Sequence, residues 1–333
     1  MNASHSLVFC VLQLAACAAA APISESHVAA NGGVRHLALL GSRTFPEGIA
    51  AHTSSGTIFV GGVANGDIQR VVGDGPEMFK AAHADDLANV IGLAVDGARD
   101  RLWVCSTTFN DPMGPAALFV FDVHSGRRLA HLTLPADGAP HFLNDVDVDS
   151  RGNAYATDSL APLIWTVPAD LSRIEVLTTD SSFTVDPAGF NLNGLAVTPD
   201  DRYLIASVPS ASETGQGKLF RIELATRSVR EIVQDHAFAG ADGLTVLGER
   251  DLVASGAAPG LHRLRFDAEY ESVRVTPLER FASQFAQPTT AAVSNGQLWV
   301  VNSQLDHYVV AVFGDKGPPA LPFEIVGIPL SEL

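Results

Sequence analysis

Asn193-Gly194-Leu195-Ala196 is one of six related phrases in this 333-residue sequence. The others are Glu47-Gly48-Ile49-Ala50, Ile91-Gly92-Leu93-Ala94, Asn144-Asp145-Val146-Asp147, Asp242-Gly243-Leu244-Thr245 and Thr289-Thr290-Ala291-Ala292. Aligned on the second residue, successive copies lie 44, 53, 49, 49 and 47 positions apart. Self-similarity at this period marks a repeat architecture, and the strand-like content of each copy fits a propeller blade better than a helical repeat.

Each phrase opens a pair of short strands. Its apolar part is the first strand, and a polar turn such as Thr198-Pro199-Asp200-Asp201 follows. The second strands are expected at 57–60, 101–104, 153–156, 202–205, 251–254 and 297–300. Runs this short, bounded by Gly, Asp, Asn and Pro, read as hairpins. Third strands are expected at 68–71, 118–121, 163–167, 218–222, 261–264 and 308–313. Fourth strands are visible at 128–132, 175–177, 230–233 and 272–275. The expected fold is therefore all-β, a six-bladed β-propeller with four antiparallel strands per blade. The stretches 36–40 and 323–328 are the candidates to close the last blade. No long amphipathic helical pattern competes with this reading.

Residues 1–21 read as a secretory signal peptide. An apolar stretch covers 7–16, and Ala18-Ala19-Ala20 offers a small-residue cleavage site. Leu14-Ala15-Ala16-Cys17 also resembles a bacterial lipoprotein box, which leaves a lipid anchor on Cys17 as the alternative to a secreted chain. Residues 22–35 read as a flexible segment and 36–333 as a single propeller domain of a length usual for that fold. With Cys10 and Cys17 gone with the leader, Cys105 stands alone on an apolar strand and reads as a small core residue.

The formal net charge is −16, from 21 basic and 37 acidic residues. This balance disfavours nucleic acid and anionic membranes, which require basic patches. No span is long enough to cross a membrane as a helix. The expected partner is a small molecule, and the expected state a monomer.

The head of each phrase carries the chemistry. In a propeller the first strand of every blade lines the central tunnel, so Glu47, Ile91, Asn144, Asn193, Asp242 and Thr289 form a ring at one mouth. Four of them, Glu47, Asn144, Asn193 and Asp242, are hard oxygen ligands. That set suits calcium, which accepts six to eight oxygens, with magnesium and manganese as alternatives. It does not suit zinc, because no His or Cys heads a phrase. One Asn or Asp before Gly is an ordinary turn residue. A Glu in the same register is costly at a tunnel mouth without a counter-charge.

The segments Phe45-Pro46-Glu47-Gly48, Leu143-Asn144-Asp145, Leu192-Asn193-Gly194-Leu195 and Ala241-Asp242-Gly243-Leu244 resemble the senescence-marker-protein/gluconolactonase family, the regucalcin-like group of calcium-dependent, phosphotriesterase-like six-bladed propellers. The resemblance implies that Glu47, Asn144, Asn193 and Asp242 are the metal set. It further implies calcium-assisted hydrolysis of a lactone or related ester, with Asp242 or Glu47 as base or nucleophile. His141, three residues before Asn144, is a candidate proton carrier. Ile91, Thr289, Phe109 and Asp158 are candidates for the substrate pocket, with Phe109 and Trp165 also readable as packing. The sequence lacks a clear His pair and an Arg cluster suited to a hydroxylated sugar lactone, so the expected substrate is a more apolar small molecule. Two other readings stay open. One is a non-hydrolytic pocket enzyme of secondary metabolism, running a strictosidine-synthase-like condensation or a hetero-Diels–Alder type cyclisation. The other is a secreted binding module with a structural calcium.

Overall fold

The first strand of the chain is the last to be placed in the ring. In the computed structural model, which describes residues 33–333 apart from 74, 188, 211–214, 257–259 and 315–316, β1 (Arg35–Ala38) completes the sixth blade. Blade one is β2 (Pro46–His52), β3 (Thr57–Gly62), β4 (Ile68–Val72) and β5 (Gly75–Lys80). Blade two is β6 (Asn89–Asp96), β7 (Arg101–Thr107), β8 (Ala117–Asp122) and β9 (Arg128–Thr133). Blade three is β10 (Leu143–Val148), β11 (Ala154–Asp158), β12 (Leu163–Val167) and β13 (Glu175–Thr179). Blade four is β14 (Leu195–Val197), β15 (Tyr203–Val208), β16 (Lys218–Glu223) and β17 (Val229–Glu231). A short β18 (Val233–Gln234) then joins blade five in parallel, beside β19 (Ala241–Gly248), β20 (Asp251–Gly256), β21 (Leu261–Phe266) and β22 (Ser272–Pro277). Blade six is β23 (Pro288–Ser294), β24 (Gln297–Asn302) and β25 (Glu324–Pro329), with β1 outermost. The protein is a six-bladed β-propeller.

Burial follows position within a blade. The inner strands are buried almost throughout, as in β15 and β11. The outer strands alternate, as in β22, where Val273 and Val275 face inward between exposed neighbours. That alternation is the period-two pattern of a half-solvated strand. Between blades, side chains such as Trp103, Phe59, Phe119 and Phe220 are fully buried. Cys105 is a buried free thiol in the same core.

One expected strand is not a strand. Residues 308–313 belong to a helix, α1 (Leu305–Phe313), inserted between β24 and β25. The third strand of blade six is instead β25, and β1 pairs with it from Arg35 opposite Gly327 to Ala38 opposite Glu324. An apolar run of six residues suits a strand or a buried helical turn equally well, and here tertiary packing decides. Both stretches expected to close the ring do so. The expected signal peptide, Cys10, Cys17 and nearly all of the 22–35 segment lie outside the described residues. Among the described residues no helix is long and apolar enough to cross a membrane.

Candidate functional site at the head of the tunnel

Five of the six phrases share a backbone device that spacing alone does not reveal. In five of the first strands the pairing slips at the head, between Pro46 and Ile49, Val90 and Leu93, Leu143 and Val146, Ala241 and Gly243, and Pro288 and Ala291. In the fourth blade, β14 begins only after Asn193 and Gly194. A bulge leaves one residue unpaired and re-aims its side chain. Here the slip falls at or beside the head of the phrase.

The second residue of each phrase locks one blade to the next. A Cβ on Gly48 would lie 2.0 Å from the Ile91 carbonyl oxygen, and one on Gly92 2.4 Å from that of Asn144. Where the position is not Gly, a side chain makes the junction. The Asp145 carboxylate accepts a hydrogen bond from the Leu195 amide at 2.9 Å. Thr289 closes the ring by donating from Oγ1 to the Glu47 carbonyl at 2.8 Å, and the Thr290 hydroxyl donates to the same oxygen.

Within this ring Glu47 and Asn144 are buried, and Asn193 and Asp242 are half-buried. Asn144 donates from Nδ2 to Ser159 Oγ at 2.9 Å. The Asn193 amide hydrogen-bonds to the Asp242 carboxylate, while its own Oδ1 is buried with no donor. Glu47 Oε2 is likewise buried with no donor. Burial raises the Glu47 carboxyl well above its usual range, and the nearby charges of Asp242 and Asp145 push the same way. Burial raises Asp242 to about 7 against the Asn193 hydrogen bond. No cationic side chain contributes to either shift.

Two carboxylates without a counter-ion, one of them with a donorless buried oxygen, and a donorless amide oxygen beside them cost free energy unless something positive sits among them. Among the described residues no group of three or more His, Cys, Asp or Glu side chains could hold a metal ion. A cation here would therefore draw on the amides as well as the carboxylates. All the available donors are hard oxygens, which fits calcium and the other oxygen-seeking cations.

The remaining predicted residues divide. His141 and Asp158 are brought together, with His141 Nδ1 at 2.6 Å from Asp158 Oδ2. Neither forms a hydrogen bond with any of the four oxygen heads. Asp158 is fully buried and also accepts from the Phe142 and Leu160 amides and from Trp165 Nε1. Ile91 is buried in the core beside the ring. Thr289 is fully buried, its hydroxyl committed to the Glu47 carbonyl.

Phe109 stands in an aromatic arc on the head face. Ring centroids lie 4.8 Å apart for Phe45–Phe323, 5.4 Å for Phe45–Tyr308, 5.4 Å for Phe109–Tyr308, 5.7 Å for Phe109–Phe142 and 4.7 Å for Phe142–Phe190. Tyr308 reaches the arc from α1 and accepts from Asn89 Nδ2 at 3.3 Å. The arc draws on the connections of blades six, one, two and three. Asn193 and Asp242, on blades four and five, are the oxygen heads left more open.

Sequence reasoning missed Asp145 and Asp147 as individual residues. Asp145 also caps its neighbour Val146, and Asp147 accepts from the Val148 and Val197 amides, both at 2.8 Å. They satisfy amides of the β14 edge that no strand pairs inside the tunnel. Burial lifts Asp145 to about 8 and Asp147 to about 6. The signal was present, since only the third phrase carries carboxylates where the other copies have Gly or small residues. Both line a tunnel cavity of about 190 Å³ just beyond the heads.

No protein-family model matches the chain, and no curated protein does. Solved structures match along most of its length. The likeness is one of fold. The major allergen Mala s 1 of Malassezia sympodialis superposes with a TM-score of 0.70 at 16% identity, over 89% of this chain and 96% of that one. A gluconolactonase from Xanthomonas campestris gives 0.59 at 17% identity, over 91% and 94%. Virginiamycin B lyase from Staphylococcus aureus gives 0.51 at 15% identity, over 89% and 99%.

Proposed function

We propose that this protein is a cation-dependent hydrolase of a lactone or related ester, acting on a fairly apolar small molecule at the head of the tunnel. The observation that carries this reading is the Glu47–Asp242 pair, which has no cationic partner and in which Glu47 Oε2, like the neighbouring Asn193 Oδ1, is buried without a donor. Glu47, Asn144, Asn193 and Asp242 would hold the ion, with calcium favoured by the oxygen set and magnesium or manganese as alternatives. When bound, such an ion polarises a carbonyl oxygen and makes a nearby water more acidic. Asp242 is the residue best suited to take a proton near neutral pH, because burial has lifted it to about 7. Glu47 is the alternative base. Ile91 and the aromatic arc give the site an apolar flank, which favours substrates with little hydroxylation. The fold shared with a gluconolactonase agrees with this reading.

A second reading keeps the same site but not the water. The aromatic arc lays apolar rings along part of the head face, and the fold is shared with a lyase. A condensation or cyclisation of bound reactants is the reaction such a surface would serve. A panel of lactones and aryl esters decides between the two. The expected result is turnover that EDTA abolishes, that calcium restores, and that Asp242→Ala lowers by roughly 100-fold or more. Undiminished turnover in EDTA would sink the cation-dependent mechanism. No turnover of any ester by calcium-loaded protein would favour the second reading.

A further inference from the structure

A cavity of about 530 Å³ away from the tunnel lies between the β7–β8 loop of blade two and the connection from blade two to blade three. Its walls are apolar and largely solvent-facing, from Met113, Pro115, Leu134, Pro135 and Ala139. Its one deeply buried polar side chain is His141, 7% exposed. Cavities of this size with an apolar lining and one or two placed polar groups are typical small-molecule sites.

The two nitrogens of His141 are used unequally. Nδ1 makes a short contact of 2.6 Å with Asp158 Oδ2. Asp158 is held by three further donors, so the ring cannot readily turn. Trp165 stands edge-on at 5.6 Å between centroids and packs the ring from the side. Nε2 has only the Asp137 carboxylate, at 3.3 Å from both of its oxygens. That is long for a charge-assisted bond, whose usual N···O distance is about 2.7–2.9 Å. Asp137 is also a surface residue, capping the Ala139 amide at 2.8 Å. The imidazole is thus rigidly oriented on its inner side and loosely partnered on the side that lines the cavity.

We propose that this cavity binds a small, mostly apolar alcohol or phenol, whose hydroxyl sits between Nε2 of His141 and the carboxylate of Asp137. A hydroxyl both accepts and donates on a single atom, so it can satisfy an imidazole N–H and a carboxylate together. An anionic ligand meets two carboxylates in Asp137 and Asp158. A cationic ligand meets an imidazole that both carboxylates stabilise in its charged form. The hydrocarbon body lies against Met113, the two prolines and Leu134. Asp158 acts as a positioning residue. The site is separate from the four oxygen heads and does not depend on the hydrolytic reading.

The test is a titration of the full chain, with its histidines isotopically labelled, by 2-naphthol, naphthalene and 2-naphthoate in parallel. His141→Gln assigns the His141 ring signals. The expected result is saturable shifts of those signals by 2-naphthol, with a dissociation constant on the order of 1 mM or tighter. Naphthalene, lacking the hydroxyl, binds at least roughly tenfold more weakly, and so does the anion. Ala139→Trp, an exposed wall substitution that need not disturb folding, abolishes the shifts by filling the cavity. Equal binding of naphthalene overturns the hydroxyl contact, and tighter binding of the naphthoate overturns the ligand class. No shift of the His141 ring in folded wild-type protein overturns the site.

Discussion

Glu47 and its neighbour Gly48 show how sharply single residues are constrained in this ring. Gly48 is required because the next blade passes where its Cβ would lie, 2.0 Å from a carbonyl oxygen. Glu47 faces the opposite problem, a carboxylate placed where its ionised form is destabilised. A residue that weakens the empty fold yet serves a bound cation gives a separable prediction. In chelator at pH 8, Glu47→Gln is at least as stable as wild type, because a neutral amide replaces an acid that burial penalises. In calcium the order reverses. Wild type gains about 2.7 kcal/mol at a free calcium concentration 100 times its dissociation constant, and the variant gains little. Thermal melts with and without calcium measure both. Equal stabilisation of the two proteins by calcium would remove Glu47 from the site.

At the scale of elements, the ring depends on its seam. Strand β1 is the outer edge of blade six, and the next strand of the chain, β2, opens blade one. The hydroxyls of Thr289 and Thr290 on β23 bind the Glu47 carbonyl on β2 from the inner side. Removing the residues before Leu39 would strip β1 together with its buried Leu37, which is 5% exposed, and expose the β25 edge. The truncated chain is expected to lose several kcal/mol and to associate through the bare edge. Denaturant melts and light scattering check this. An unchanged midpoint would mean that the inner seam closes the ring alone. The helix α1 belongs to the same scale. The six-residue run at 308–313 carries no cue separating strand from helix, and it is the packing of Tyr308 against Phe45 and Phe109 that gives it a place.

For the whole molecule, the buried carboxylates set the response to pH. Asp242 is raised to about 7 and Asp145 to about 8, against about 3.9 in an unfolded chain. A raised folded value means that the folded state holds the proton more tightly. The resulting stability is complete below about pH 4 and is lost as pH rises through the folded values. His262, lowered to about 4 by burial, acts in the opposite sense, but only below about pH 6.5. Between pH 6.5 and 8 the acid groups therefore dominate, and chelated protein is expected to lose stability across that window. Saturating calcium should flatten or reverse the slope, because the ion competes with protons for the same oxygens. Melting temperatures at half-unit pH steps measure both curves. A chelated protein that gains stability from pH 6.5 to 8 would show that these carboxylates already have a counter-charge.

The blade count, the inner three strands of the first five blades, the two segments that close the ring and the identity of the heads were legible in the linear chain, whereas the third strand of blade six, expected at 308–313, was not. Local alternation and a fixed period encode the legible features, and both depend only on residues near in sequence. The unequal use of the heads was not legible. Ile91 and Thr289 share a register with Glu47 and Asp242, yet one is buried in the core and the other serves the seam. Nor could spacing show that Asp145 and Asp147 reach the β14 amides some 50 residues away, or that His141 pairs with Asp158 from the far end of a hairpin. The carboxylate–amide contacts cross from blade three to blade four and form only when the blades pack together, whereas the His141–Asp158 pair forms inside blade three, where strand pairing sets Leu143 opposite Asp158. The sequence determined which oxygens head the first strands, because their place in each repeated phrase does so. Tertiary structure decided which of those oxygens have no partner, because that depends on every neighbour the closed ring supplies.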